Sequence, residues 1–222
     1  MSKKYPKGIS MRFLFACALA LTVSGPSQAL TLNFSDLEQA GDSYVLMNHY
    51  ESSGFKIEHP NPLYPEDPDL FGTWGSSHPE YDASAALFNN YGGETSRISA
   101  TNGGTFGLVS MEFDLLFYED YFDPNGFPLL IEVRGFDASG VELARQEVVL
   151  ESDGWSAVNF SDAFRSIAYA EWIQAYPPEQ TYGFQIKPFQ FDNVVLSPVP
   201  EANIATMLIA GCCLLTAVGR RR

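Results

Sequence analysis

Between Leu30 and Val199 the sequence has no cysteine; its three, Cys17, Cys212 and Cys213, all lie near the ends. The long middle segment can form no disulfide and do no thiolate chemistry, so its hydrophobic core must be sufficient without a covalent staple. Basic residues are scarce as well. Residues 30–199 hold 6 Lys and Arg against 26 Asp and Glu, a net charge of −20, while the whole chain carries −14. A surface of that sign repels a phosphate backbone, which argues against a nucleic-acid partner. There is no Gly-x-Ser-x-Gly elbow, no His-Glu-x-x-His and no phosphate-binding glycine loop. His49, His59 and His78 are not at metal-ligand spacing. Carboxylate pairs arise by chance among so many acids, so no glycosidase pair stands out. The expectation is a protein that is not an enzyme.

What is present divides into three parts. At 45% hydrophobic and 14% aromatic residues, the chain can fill one core of ordinary domain size. Its first 29 residues read as an export signal. Lys3, Lys4, Lys7 and Arg12 form a basic start, Phe13 to Val23 is an apolar run of 11 residues, and Ser27 and Ala29 are small side chains at −3 and −1. Signal peptidase is expected to cut after Ala29. Cys17 sits inside the apolar run, where a lipoprotein cysteine would not be.

The last part, 198–222, opens with Val199, Pro200, Glu201 and Ala202. It continues through an apolar stretch at 204–218 and ends in Arg220, Arg221 and Arg222. Fifteen apolar residues span about 22 Å as a helix, short against a hydrocarbon core of about 30 Å. The arginines should remain cytoplasmic. Pro-Glu, a short apolar helix and an arginine cluster resemble the PEP-CTERM sorting tail of Gram-negative bacteria, over 24 of the 222 residues. Ala202 stands where the second proline of that motif is usual. The resemblance implies processing by exosortase, a membrane-embedded protease. It also implies an inner-membrane intermediate and delivery to the cell surface or an exopolysaccharide matrix.

The segment 30–197 reads as an all-β sandwich. Along 105–118, Val109, Met111, Phe113, Leu115 and Phe117 alternate with Ser110, Glu112 and Asp114, the pattern of a strand with one buried face. Further strands are expected at Ile131–Val133, at 141–150 after the turn Asp137-Ala-Ser-Gly140, at 154–160 and at 185–196. Residues 161–175 fit either a helix capped by Ser161 and Asp162 or a short turn at 162–165 followed by a strand; the alternation of Ile167, Tyr169 and Ile173 favours the second. Residues 59–82, rich in Pro and Gly, read as one long loop and as the best place for a site, with Asp67, Asp69 and His78 in it.

Leu32-Asn-Phe-Ser-Asp36, Gly54-Phe55, Gly104-Thr-Phe106, Val133-Arg-Gly135 and Phe191-Asp-Asn-Val-Val-Leu196, in that order, resemble secreted jelly rolls of the galactose-binding-like, carbohydrate-binding-module type. That resemblance implies a structural Ca²⁺ at Asp36 and Asp192, the alternative being a solvated Asp36 and a strand-edge hydrogen-bonding Asp192. It also draws attention to aromatic side chains that could stack on sugars: Trp74 and Tyr81 first, then Tyr91, Trp155, Trp172 and Tyr176, each with core packing as the alternative.

The leading functional reading is an exported structural or adhesive component of the surface or exopolysaccharide matrix. The alternative is a glycan-binding module, and a more distant one a polysaccharide-active hydrolase. Export and sorting should depend on the ends alone. Residues 1–29 and 199–222 grafted onto a neutral reporter should carry it to the surface of an exosortase-positive host, as read by surface labelling. Equal behaviour in a strain without exosortase would make the tail a plain anchor.

Overall fold

Thirteen strands form among the described residues: β1 (Leu30–Leu32), β2 (Tyr44–Met47), β3 (Tyr50–Ser52), β4 (Phe55–Glu58), β5 (Phe71–Trp74), β6 (Leu87–Asn89), β7 (Ser96–Ala100), β8 (Phe106–Leu115), β9 (Leu129–Phe136), β10 (Glu142–Leu150), β11 (Ser156–Asn159), β12 (Tyr169–Ala175) and β13 (Phe189–Pro198). The computed structural model describes residues 28–81, 83–91, 93–116, 129–150, 154–175 and 188–198. Ser27, the sorting residues Val199, Pro200, Glu201, Ala202 and Arg220–Arg222, the 204–218 segment, Phe117 and Tyr176 lie outside them. Ala29 is exposed and directly precedes β1. Among the described residues no helix is long and apolar enough to cross a membrane.

The strands form two antiparallel sheets. The first runs β11-β8-β13-β6-β5-β2, with β1 also paired to β13; the second runs β10-β9-β12-β7-β4-β3. The chain crosses repeatedly from one sheet to the other, the winding from which jelly rolls are built. Ser53 and Gly54 both have positive φ, 52° and 82°, and close β3 onto β4 with a two-residue turn. Glycine adopts that conformation without the steric cost of a Cβ.

The core lies between the sheets. Phe34, Phe71, Phe106, Phe113 and Phe191 meet Ile57, Ile98, Ile131, Val133 and Trp172 there, all essentially inaccessible. Each such side chain contributes about 1.5–3 kcal/mol on burial. All come from the unit Ala29–Val199, which thus folds around a core of its own. A second, smaller cluster of Trp74, Phe88 and Leu116, with Tyr81 against it, covers part of the first sheet's outer face.

Two expectations need correction. Met111, Phe113 and Leu115 point inward as expected, but Val109 is 40% exposed and Leu108 and Phe106 take the inward positions. The cause is the register shift between Val195 and Leu196, which puts the extra residue Val109 on β8; the neighbouring shift between Asp192 and Val195 puts an extra residue on β13. A bulge adds a residue and reverses the parity of the residues beyond it. Asn193 sits in the β13 bulge at φ 47°, a left-handed conformation that Asn tolerates. The 59–82 segment is not one loop, because β5 runs through it. All four β5 residues are buried, so no alternation marks the strand. By contrast, residues 162–165 form a single 3-10 turn and β12 comes after it, the preferred of the two readings of that segment.

Alternation beside the inward Phe191 turns Asp192 to the outer face, where it is still buried, 1% exposed. Its carboxylate accepts from the Ser84 hydroxyl at 2.7 Å and the Asn193 N–H at 2.6 Å. Burial pushes its carboxyl from 3.8 up to about 6, with nearby Glu112 adding to the effect. Between those values the folded chain holds a proton that the unfolded chain has released, so this group's contribution to stability falls as pH rises from about 4 to 6. Asp192→Asn should therefore be more stable than the parent above pH 7, by about 1–3 kcal/mol, with the gap closing toward pH 4. Urea melts at pH 4.5 and 7.5 check this; His59 titrates in both proteins and cancels. The outer cluster has its own test. A Cβ on Gly72 would lie 2.6 Å from one Phe88 ring carbon, so Gly72→Ala must displace that ring. The expected loss is about 2 kcal/mol in the same melts.

Candidate functional site

Two loops emerge side by side at one end of the sandwich. β4 ends at Glu58, paired to Arg97 near the start of β7, and β5 starts at Phe71, paired to Asn89 at the end of β6. The β4–β5 loop (59–70) and the β6–β7 loop (90–95) therefore cross between the sheets next to each other. Their base is a buried polar cluster. His59 and Glu94 are 6% and 4% exposed, and His59 Nδ1 meets Glu94 Oε2. The Glu94 carboxylate also accepts the Leu63 N–H at 2.6 Å. Asn89 donates to the Glu94 carbonyl at 3.2 Å and accepts the Ser96 hydroxyl at 2.8 Å. The His59 ring sits edge-on to Phe71, 4.2 Å between centroids. Burial holds its pKa below the ordinary imidazole value, against the opposing pull of Glu94. An isolated charge this deep would be costly, so the pair is mutually required.

Above this base the two loops are laced together. The Asn90 side chain donates to the Asp69 carbonyl at 2.8 Å, and the Asn90 N–H to the Leu70 carbonyl at 3.0 Å. Asp67 accepts the Asp69 N–H at 2.9 Å and also the Tyr91 hydroxyl. The bond to Asp67 pushes the Tyr91 hydroxyl up to about 12, and the same bond holds Asp67 below the usual carboxylate range. The outermost residues are apolar. Tyr64 is 56% exposed and Leu63 68%. The Tyr64 ring lies 4.8 Å from that of Tyr91, tilted by 48°. An exposed aromatic ring thus stands beside Tyr91 and the carboxylate that Tyr91 bonds, on a loop whose Leu63 N–H is held from below by Glu94. Such a surface can stack on an apolar face and hydrogen-bond the polar groups around it.

The structure distributes the sequence candidates differently. Trp74 is 8% exposed, stacked on His78 at 4.0 Å and on Phe88 at 4.4 Å. Two rings that close and that parallel cannot share one indole face, so both faces are covered. The expected sugar contact at Trp74 is therefore corrected to a packing role. Tyr81 packs beside it and donates to Glu38 at 2.5 Å. Trp172 is fully buried in the main core, while Trp155 is half-buried. Of the aromatic candidates among the described residues only Tyr91 falls in the loop end, and Asp67 and Asp69 fall there with it. Leu63 and Tyr64, the most exposed members, escaped notice, although Asn61-Pro-Leu-Tyr-Pro65 gave a signal: two apolar residues between prolines in a surface loop.

Asp36 and Asp192 are engaged separately. Exposed Asp36 accepts the Tyr50 hydroxyl at 2.8 Å, and Asp192 takes Ser84 and Asn193. Among the described residues, no group of three or more His, Cys, Asp or Glu is arranged to hold a metal ion.

No family model matches the chain, and no curated protein matches it by sequence. Solved structures do. A DUF4465 family protein from Bacteroides caccae superposes with a TM-score of 0.57 at 11% identity, covering 78% of this chain and 100% of that one. Another from Bacteroides ovatus gives 0.43 at 8% identity, covering 76% and 98%. The family 32 carbohydrate-binding module of C. perfringens NanJ, solved with galactose, gives 0.36 at 13% identity, covering 67% and 98%. At these identities the likeness to the Bacteroides caccae protein is one of fold alone: a β-sandwich that accounts for the whole of that chain.

Proposed function

We propose that the sandwich is a non-catalytic glycan-binding module, exported and sorted by the chain's two ends to the cell surface or an extracellular polysaccharide matrix. One observation carries this reading. Tyr64 presents an exposed ring beside Tyr91, whose hydroxyl Asp67 accepts, on a loop fixed by the buried His59–Glu94 pair. Pre-positioning of this kind lowers the ordering cost of binding a weakly interacting ligand. A sugar ring offers an apolar face to the aromatic and hydroxyls to the carboxylates and amides. The net charge of −20 over 30–199 disfavours polymers rich in uronic acids, so the fitting ligand is a neutral glycan.

A glycan array and a pull-down with neutral and acidic polysaccharides, using residues 29–199, test this. Tyr64→Ala should weaken binding about tenfold, the loss of one stacked ring, with no change in melting temperature. Undiminished binding by Tyr64→Ala would place the ligand elsewhere. Binding to no glycan at all would return the module to a purely structural role.

A further inference from the structure

A sandwich has four sheet edges, and three of these are short. β2 has four residues, β3 three and β11 four, while β10, the outer strand of the second sheet, has nine. Short edges are one way in which proteins avoid pairing with other chains; lysine, proline and covering segments are others. β10 contains no Lys, Pro or Gly, and among the described residues no strand pairs with its free side. A single register irregularity, between Glu142 and Ala144, marks its start, and from Ala144 to Leu150 the ladder to β9 is regular.

The residues on this edge complement themselves. Ala144, Val148 and Leu150 face the core, while Leu143, Arg145, Glu147 and Val149 are exposed, Leu143 and Val149 at 47% each. A second β10, antiparallel and related by a two-fold axis through Gln146, would place Arg145 opposite Glu147 and Leu143 opposite Val149. Each of these pairs would occur twice. Moving the axis one residue either way sets Arg145 against Arg145 or Glu147 against Glu147, and like charges directly opposite are unfavourable. One register therefore matches both charge and apolarity, as an isologous two-fold contact requires.

We propose that β10 is a self-association edge, pairing with β10 of a second copy of this chain in the register centred on Gln146 and joining the two six-stranded sheets into one of twelve. The contact is a single strand pair, below about 1,000 Å² of buried area, so the dimer is weak. It also works against the repulsion of two highly acidic domains, which physiological salt screens beyond about 8 Å.

Sedimentation equilibrium of residues 29–199 at physiological salt tests this. The parent should dimerise reversibly, with a dissociation constant on the order of 10–1,000 µM. Arg145→Glu and Glu147→Arg should each weaken the dimer about tenfold, because each sets like charges opposite one another twice. The double exchange should restore parental association, since the charges have merely traded places. A parent still monomeric at about 1 mM, or a double variant no better than the singles, overturns the proposal. Arg145 also bridges Glu132 at 2.7 Å and Glu142 at 2.9 Å within its own chain, so melting temperatures are read alongside. Should Arg145→Glu unfold the domain, Val149→Lys decides: it should abolish the dimer at unchanged melting temperature, and a surviving dimer would overturn the proposed edge.

Discussion

The structure depends on the burial of Phe191. Its ring lies 4.9 Å from Trp172 of the facing sheet and 5.9 Å from Phe34, both edge to face. That contact ties β13, in the middle of the first sheet, to β12 in the middle of the second. Once Phe191 faces inward, Gln190 and Asp192 must face outward. The outward surface is polar at these points, and Glu80 and Ser84 close over it: Gln190 donates to Asp114 at 3.0 Å and to the Glu80 carbonyl at 3.3 Å, and Asp192 takes Ser84. Without the bulge at Asn193 the same parity would turn Val194 and Leu196 outward. The bulge lets one strand serve the core on both sides of a polar outer patch.

Charge is arranged as economically. Of the six Lys and Arg in residues 30–199, Lys56, Arg97, Arg134 and Arg145 all project from the outer face of the second sheet. They alternate there with acids. Arg97 meets Glu171 at 2.5 Å, Arg134 meets Glu132 at 3.2 Å and Lys56 meets Glu58 at 2.5 Å. Arg97 also lies 4.3 Å over the Tyr169 ring, which stacks on Phe136. Single exposed pairs add little stability. Their collective effect is to remove negative potential from one face of a very acidic domain, so repulsion is weakest around the second sheet. The free edge at β10 belongs to that sheet.

Burial decides how much of this was legible in the sequence. β8 and β9, with one partly solvated face, were readable from their alternation, and β10 from the Asp137–Gly140 turn that leads into it. β5 and β6 are buried on both faces, and β2 and β3 are three or four residues long, so neither period nor length distinguished them from loop. The same cause misdirected the site reading. Trp74 looked like a loop aromatic because its strand was invisible, and only the fold shows its two faces covered by His78 and Phe88. Tyr91 and Asp67 were recognisable as single residues, but 24 positions separate them, and no local pattern announces a hydrogen bond between loops from different sheets. The histidines lacked metal-ligand spacing, and that reading set aside a metal role for His59 without revealing the buried pair it forms with Glu94.

The loop end and the β10 edge also constrain each other geometrically. β10 bounds the second sheet on one side, and β4, which leads into the Tyr64 loop, lies near the opposite side. Pairing at β10 would leave the Tyr64 loop end, the proposed glycan surface, uncovered. A two-fold axis normal to the sheet reverses strand direction from one copy to the other, so the two Tyr64 loops would point opposite ways. Two sites facing one direction would favour double engagement of a single chain and a gain in affinity through high effective concentration. Opposed sites forgo that gain and, if the proposed function holds, would engage two separate glycan chains. A weak strand pair suits this arrangement, because at the crowded local concentrations of the proposed surface matrix many reversible links would accumulate. In such an assembly glycan binding and a structural, adhesive role become one property of the same module.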